Sequence, residues 1–146
     1  MTTFQTPKYE RHSTVELNIV LNAIREFITI HEIDLSNPES IHGGVTAKNK
    51  RRTIINDVPV RLASLRLLTF FNTGTKCHCC GLRATHFAIE RQQPNTPYHL
   101  NLWGVNDNGE VLFTHDHKIA KANGGVDNIS NTQTMCITCN MNKGST

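Results

Sequence analysis

An α+β fold is predicted for this chain of 146 residues, with an N-terminal helical region and basic linker over 1–57 and a mixed domain over 58–146. Three observations predict it. Apolar residues recur at three- and four-residue steps between Ser13 and Glu32, the period of one helix face. Two runs of strand-forming residues flank an Asn108-Gly109 turn signal. Two Cys-x-x-Cys pairs, Cys77/Cys80 and Cys136/Cys139, bracket those strands.

Composition sets the limits. The length suffices for one core of ordinary size. With 38% hydrophobic and only 6% aromatic residues that core is lean, so something beside apolar burial is expected to add stability. A formal charge of +3 is compatible with nucleic acid but too mild to establish it. Its placement says more: Lys48, Lys50, Arg51, Arg52, Arg61 and Arg66 are opposed only by Asp57 between residues 48 and 66. The opening MTTFQTPKYERH has no apolar leader core, and no run approaches the roughly 18 apolar residues of a membrane span. A soluble, cytoplasmic protein with no membrane partner is therefore expected. Five cysteines in a reducing compartment point to metal, and the odd count leaves one spare.

The elements follow in order. Residues 1–12 are polar and aperiodic and read as a loose arm. Ser13 and Glu16 have the spacing of a capping box, and Leu17, Val20, Leu21, Ile24, Phe27, Ile28 and His31 continue one apolar face to about Glu32. Covering the core is the simpler use of that face. Docking a homodimer mate or a protein partner through helix 13–32 is the other. Residues 34–52, with Pro38 and Gly43-Gly44, read as a linker or exposed loop. From Val58 a short extended piece leads to a helix starting at Ser64, with Gly74 as its stop. His86–Glu90 and Tyr98–Val105 have strand character, Asn108-Gly109 is a two-residue hairpin signal, and Glu110–Thr114 returns. A glycine loop, an extended piece over 132–135 and a helix from about Thr138 complete the chain.

The cysteine pairs, separated by 55 residues, each place two thiolates on one tight turn. Two such turns facing each other make the four-sulfur tetrahedral cage that zinc prefers, with Zn–S bonds of about 2.3 Å. Such a site is structural, because four thiolates leave no open position for water. It would clamp the hairpin base to the final helix and contribute directly to folding. Cys79 is the spare, and His78 reads as a surface residue of the turn.

The segment Thr114–Lys143 gathers His115-Asp116-His117, Gly124-Gly125, several asparagines and a closing lysine. Phosphodiester hydrolysis needs a deprotonated water and positive charge beside the phosphate and the departing oxygen. His117 suits the general base, since imidazole titrates near neutral pH. Asp116, on the opposite face of the strand, is a hard oxygen donor suited to Mg2+ or Mn2+, and Asn140 offers a second oxygen from the final helix. Asn131 is the candidate strut of the glycine loop, with the role of orienting His117. Lys118, Lys121 and Lys143 lie around the site as phosphate contacts. His115 should face the same side as His117, which favours substrate contact over metal binding, beside the plainer reading of a surface histidine. Trp103 reads as a hairpin packing residue.

Cys77-x-x-Cys80-Gly81, Asp116-His117, Gly124-Gly125, Asn131-x-Gln133, Cys136-x-x-Cys139-Asn140 and Lys143-Gly144 together resemble the HNH endonuclease family, over roughly residues 65–146. The style of the segment is most similar to small HNH proteins of bacteriophages, which would place it in a host bacterial cytoplasm. The resemblance implies a zinc-stabilised ββα-metal, treble-clef-like domain. It also implies divalent-metal-dependent hydrolysis of double-stranded DNA that leaves 5′-phosphate and 3′-hydroxyl ends. By family role His117 is the base, Asp116 and Asn140 are the catalytic metal ligands, and Asn131 is the support. His115 and the absence of a proline within Lys118-Ile119-Ala120 depart from the plainest family pattern. The alternative is a zinc-stabilised DNA-binding module, or a subunit of a phage replication or packaging assembly, without nuclease activity of its own.

Overall fold

The computed structural model describes residues 8–36, 50–126 and 128–144. In chain order these form β1 (Glu10–Glu16), α1 (Leu17–Ile30), β2 (Arg52–Ile55), β3 (Val58–Arg61), α2 (Leu65–Thr73), β4 (Ala84–Arg91), β5 (His99–Asn106), β6 (Gly109–His117), β7 (Thr132–Cys136) and α3 (Ile137–Lys143). Strands β1-β4-β5-β6-β7 make one five-stranded antiparallel sheet, while β2 and β3 pair separately.

Alternation along the strands builds two faces. Phe87, Ile89, Leu100, Leu102 and Phe113 meet Val20, Ile24 and Phe27 of α1 and Leu65, Leu67, Leu68 and Phe70 of α2 in the main core. On the other face Ala88, Trp103 and Leu112 form a smaller cluster with Tyr9 and Ile137. Trp103 thus packs inside the sheet. There Glu90, 2% exposed, accepts hydrogen bonds from Trp103 Nε1 (2.7 Å), Asn101 Nδ2 (3.0 Å) and Arg11 Nε (2.7 Å). A buried carboxylate is tolerable only with such partners.

The first helix begins later than its sequence signal. Ser13 pairs with Ile89 within β1, and Glu16 is the residue before the helix, with no side-chain cap. The Ser13/Glu16 capping box does not form, because β4 claims the backbone that a cap would need. Residues 10–12, expected in a loose arm, belong to the same strand. At its other end α1 stops by a Schellman motif: Glu32 takes φ +53°, its N–H reaches Thr29 O, and the Ile33 N–H reaches Ile28 O. Val20, Ile24 and Phe27 are buried, so the apolar face covers the core.

Residues 37–49, most of the expected linker, lie outside the described residues. Its last residue, Arg52, opens β2, and the 57/58 boundary falls at the β2–β3 turn, where Asn56 and Asp57 both have positive φ. Helix α2 has the expected limits: Ser64 Oγ accepts the Leu67 N–H at 3.2 Å, and Gly74 follows its last turn at φ +94°. The β5–β6 connection differs by one residue. Asn106 pairs with Gly109, so Asp107 and Asn108 are the turn residues, and Gly109 carries φ +113°. The connection still has two residues, but they are Asp107 and Asn108, neither at positive φ, with the glycine following them rather than closing the Asn-Gly central pair that a two-residue turn favours.

Strand β6 changes partner along its length. Gly109–Leu112 pair with β5, and Phe113–His117 pair with β7. Helix α2 lies along β7, bonded through Thr69–Thr132 (2.7 Å) and Thr73–Thr134 (3.0 Å). These contacts hold the end of β6 in place.

Candidate functional site

The first cysteine turn lies between α2 and β4. The Cys77 N–H donates to Leu82 O, the Gly81 N–H returns to Cys77 O, and Gly81 takes φ +79°. The second turn starts at Cys136, the last residue of β7, and continues into α3. The Sγ atoms of Cys77, Cys80, Cys136 and Cys139 all lie within 4.8 Å of one another, and those of Cys80 and Cys136 are 3.9 Å apart. Cys79 is exposed and outside this group. His78 is held by its Nδ1 against Thr134 O, 3.1 Å away.

The thiols share one electrostatic environment. Burial pushes the Cys77 thiol up, but the N–H groups of Cys136, Cys80 and Cys79 outweigh it and bring it down to about 7. Burial and hydrogen bonding with neighbouring thiols push Cys139 far up. Burial also raises Cys136. A cluster in which one thiolate opposes the next is relieved by a cation, and this donor set fits a tetrahedral ion such as zinc.

The end of β6 carries the second group. His115 and His117 face the same side, as strand parity requires, with ring centroids 5.6 Å apart. Asp116 is 4% exposed, and its Oδ2 accepts from Lys143 Nζ at 2.7 Å and from Gln133 Nε2 at 3.1 Å. The same ammonium donates to His117 O at 3.0 Å. Lys143, expected as a contact for flanking phosphates, is therefore turned onto Asp116. Lys118 is exposed, as is Lys121. Asn140 Nδ2 donates to Thr114 Oγ1 (2.8 Å), which donates to Met135 O (2.9 Å), so the amide orientation is set from the strand. His115, Asp116, His117, Lys121, Asn140 and Gly144 line one cleft of about 270 Å³.

The loop after His117 folds back on Asn131. This side chain is 7% exposed; its Oδ1 accepts the Ile119 N–H at 2.9 Å, and its Nδ2 donates to Ile119 O (3.0 Å) and Val126 O (2.9 Å). Its carbonyl accepts the Lys118 N–H at 2.7 Å. Gly125 passes so close that a Cβ there would sit 1.7 Å from Ile119 O, and Gly124 takes φ +90°. No other residue type fits at Gly125 without moving the loop. Asn131 is thus a strut, and its bonds reach the two residues that follow His117.

Two members of the site had no role assigned from the sequence. Gln133 pairs across β6–β7 with Asp116, and Thr114 shares the Asp116 face. Laying Asn131-x-Gln133 against His115-Asp116-His117 as antiparallel neighbours would have found the first; parity two residues before Asp116 would have found the second.

A β-strand pair runs into a short helix, is pinned by a four-cysteine cluster that could hold zinc, and offers a carboxylate, imidazoles and an amide to one cleft, a ββα arrangement. Residues 104–146 match the family model for HNH endonuclease, and this part of the chain is an HNH domain. The match takes in Asp116, His117, Asn131, Asn140 and the second cysteine turn, while the first turn lies upstream of it. No curated protein and no solved structure matches the chain significantly.

Proposed function

We propose that the chain is an endonuclease that hydrolyses DNA phosphodiester bonds with Mg2+ or Mn2+ held by Asp116 and Asn140, its fold secured by zinc on Cys77, Cys80, Cys136 and Cys139. The observation that carries this reading is the shared cleft of Asp116, His117 and Asn140 within the HNH domain. The donor set fits a hard cation, for the buried Asp116 carboxylate already holds the Lys143 ammonium at 2.7 Å. When bound, the divalent ion supplies positive charge at the scissile phosphate and the departing oxygen. His117 takes a proton from the attacking water, and its position follows from β7 pairing on one side and the Asn131-braced loop on the other. Asp116, oriented by Gln133, would hold the ion in the place the Lys143 ammonium occupies. Thr114 fixes the Asn140 amide so that its oxygen is the free donor. His115 and Lys121 line the cleft as contacts for the phosphate being cut.

A second reading, a zinc-stabilised DNA-binding module without cleavage, draws on the same Lys143–Asp116 ion pair, which satisfies the carboxylate with no metal. Cleavage of supercoiled plasmid by zinc-loaded protein, with Mg2+, Mn2+ or chelator, separates the two. Metal-dependent nicking that falls by about 10²–10⁴-fold in His117→Ala is expected. No cleavage with either metal, or undiminished cleavage by the variant, refutes the catalytic reading.

A further inference from the structure

A second cavity, of about 400 Å³, lies outside the HNH domain's cleft, among the first turn of α2, the end of β4, the start of β5 and Tyr9. Arg66 reaches into it. One of its terminal nitrogens, Nη2, donates to Leu100 O at 2.9 Å, but its Nε is shielded from solvent and has no acceptor. Glu90 is the acid in the cavity wall, and its oxygens are taken by Arg11, Asn101 and Trp103. Arg66 has no carboxylate partner among the described residues. Arg66 is half-buried, and a guanidinium N–H shielded from water with no acceptor is costly, a cost that an anion entering the cavity would remove.

More positive charge converges here. Burial pushes the His99 imidazole down, and Arg66, Arg52 and Arg61 push it further, in that order. Arg52 and Arg61 are paired directly across β2–β3, an arrangement that like charges disfavour. The cluster also has a direction. Thr69 of α2 meets Thr132, and Thr132 pairs with His117. The α2 turn that carries Arg66 therefore lies toward the end of the sheet where β6 delivers His117. Arg52, on the hairpin, is exposed and extends the charge outward from the cavity.

We propose that Arg66, supported by His99, Arg52 and Arg61, binds a backbone phosphate of duplex DNA that flanks the HNH cleft. This rests on the reading of the chain as a protein acting on DNA. The guanidinium presents Nε and a terminal nitrogen side by side, the fork that suits a phosphodiester. Residues from four elements upstream of the HNH match would then hold the DNA that the downstream residues cut.

The test uses the full, zinc-loaded chain without added divalent metal, so that no cleavage intervenes. Inorganic phosphate should move the His99 ring resonances of the wild type but not of Arg66→Gln. Fluorescence anisotropy with a short duplex should give a plot of log affinity against log salt whose slope is flatter by about 0.9 in Arg66→Gln, the value of one lost phosphate contact. Arg52→Gln, on an exposed strand position, should flatten it too and serves where Arg66→Gln fails to fold. Slopes equal to wild type in both variants overturn the proposal, as does a His99 response to inorganic phosphate with no change of slope, which would mark a free-phosphate site. A wild type that binds no duplex overturns the DNA reading as well. Wild-type binding with unchanged variant slopes removes this site alone.

Discussion

Replacing Asn131 with alanine removes three hydrogen bonds at once and leaves the loop after β6 without its strut. The Ile119 N–H loses its acceptor at 2.9 Å, and Ile119 O and Val126 O lose donors at 3.0 and 2.9 Å. A net hydrogen bond contributes about 0.5–1.5 kcal/mol, and a donor left unsatisfied out of water costs about 1–3 kcal/mol. Val126 is exposed, so water replaces its lost donor at little cost. The expected destabilisation is about 2–4 kcal/mol, a large part of a typical total stability of about 5–15 kcal/mol. Urea denaturation of the zinc-loaded protein reads this directly, and amide exchange at Ile119 reports the loop itself. A loss below about 0.5 kcal/mol with Ile119 exchange unchanged would show that the backbone turn at Gly124-Gly125 holds the loop without Asn131, and would refute the strut. If the strut also positions His117, plasmid cleavage should fall in a variant that stays folded at the assay temperature.

Three other outcomes are expected. Lys143→Met should tighten Mn2+ binding, read by calorimetry, by about 1–4 kcal/mol, the span between water-like and surface-like screening of one like charge at about 4 Å; unchanged or weaker binding would mean that the ammonium does not compete at Asp116. Chelation should release one zinc per chain and lower the urea midpoint, as should Cys139→Ser, whereas full stability without metal would count against a structural ion. At Glu110, burial favours the neutral acid, but bonds from Arg11 (3.0 Å) and His86 Nε2 (2.6 Å) outweigh it and hold the carboxyl below its ordinary 4.5. A lowered folded-state pKa adds stability that is complete above the unfolded value and is lost as pH falls through the folded one. Glu110→Gln should therefore have a lower urea midpoint than wild type at pH 7, with the gap closing below about pH 4; a gap independent of pH would refute the linkage.

Local chemistry was legible in the sequence where it is settled by near neighbours. Ser64 and Gly74 mark both ends of α2 because cap and stop act within a turn of the helix. The cysteine pairs announce themselves by spacing, and the Thr132–Cys136 strand and final helix follow from short patterns. What was not legible depends on partners far along the chain. Strand β1 exists because Glu10–Glu16 pair with residues 86–91, while the Ser13/Glu16 signal speaks only for the isolated segment. The β2–β3 hairpin turns on Asn56-Asp57, both in left-handed conformations, without the glycine that usually advertises such a turn. In the site, residue types and strand parity brought forward Asp116, His117, Asn131 and Asn140. The inward course of Lys143 was hidden because its target lies 27 positions back and becomes a neighbour only when α3 docks on β6.

The divided pairing of β6 separates the recognisable motif from the unit able to fold. A fragment beginning at Gly104 would keep the matched residues but lose most of β5 and all of α2. Val111, Leu112 and Phe113 would face water, and Thr132 and Thr134 would lose their bonds to Thr69 and Thr73. Half of the metal cage would be missing as well. Transplanting the matched segment into another protein therefore has to start no later than Ser64, and its portability is set by the upstream helix and cysteine turn.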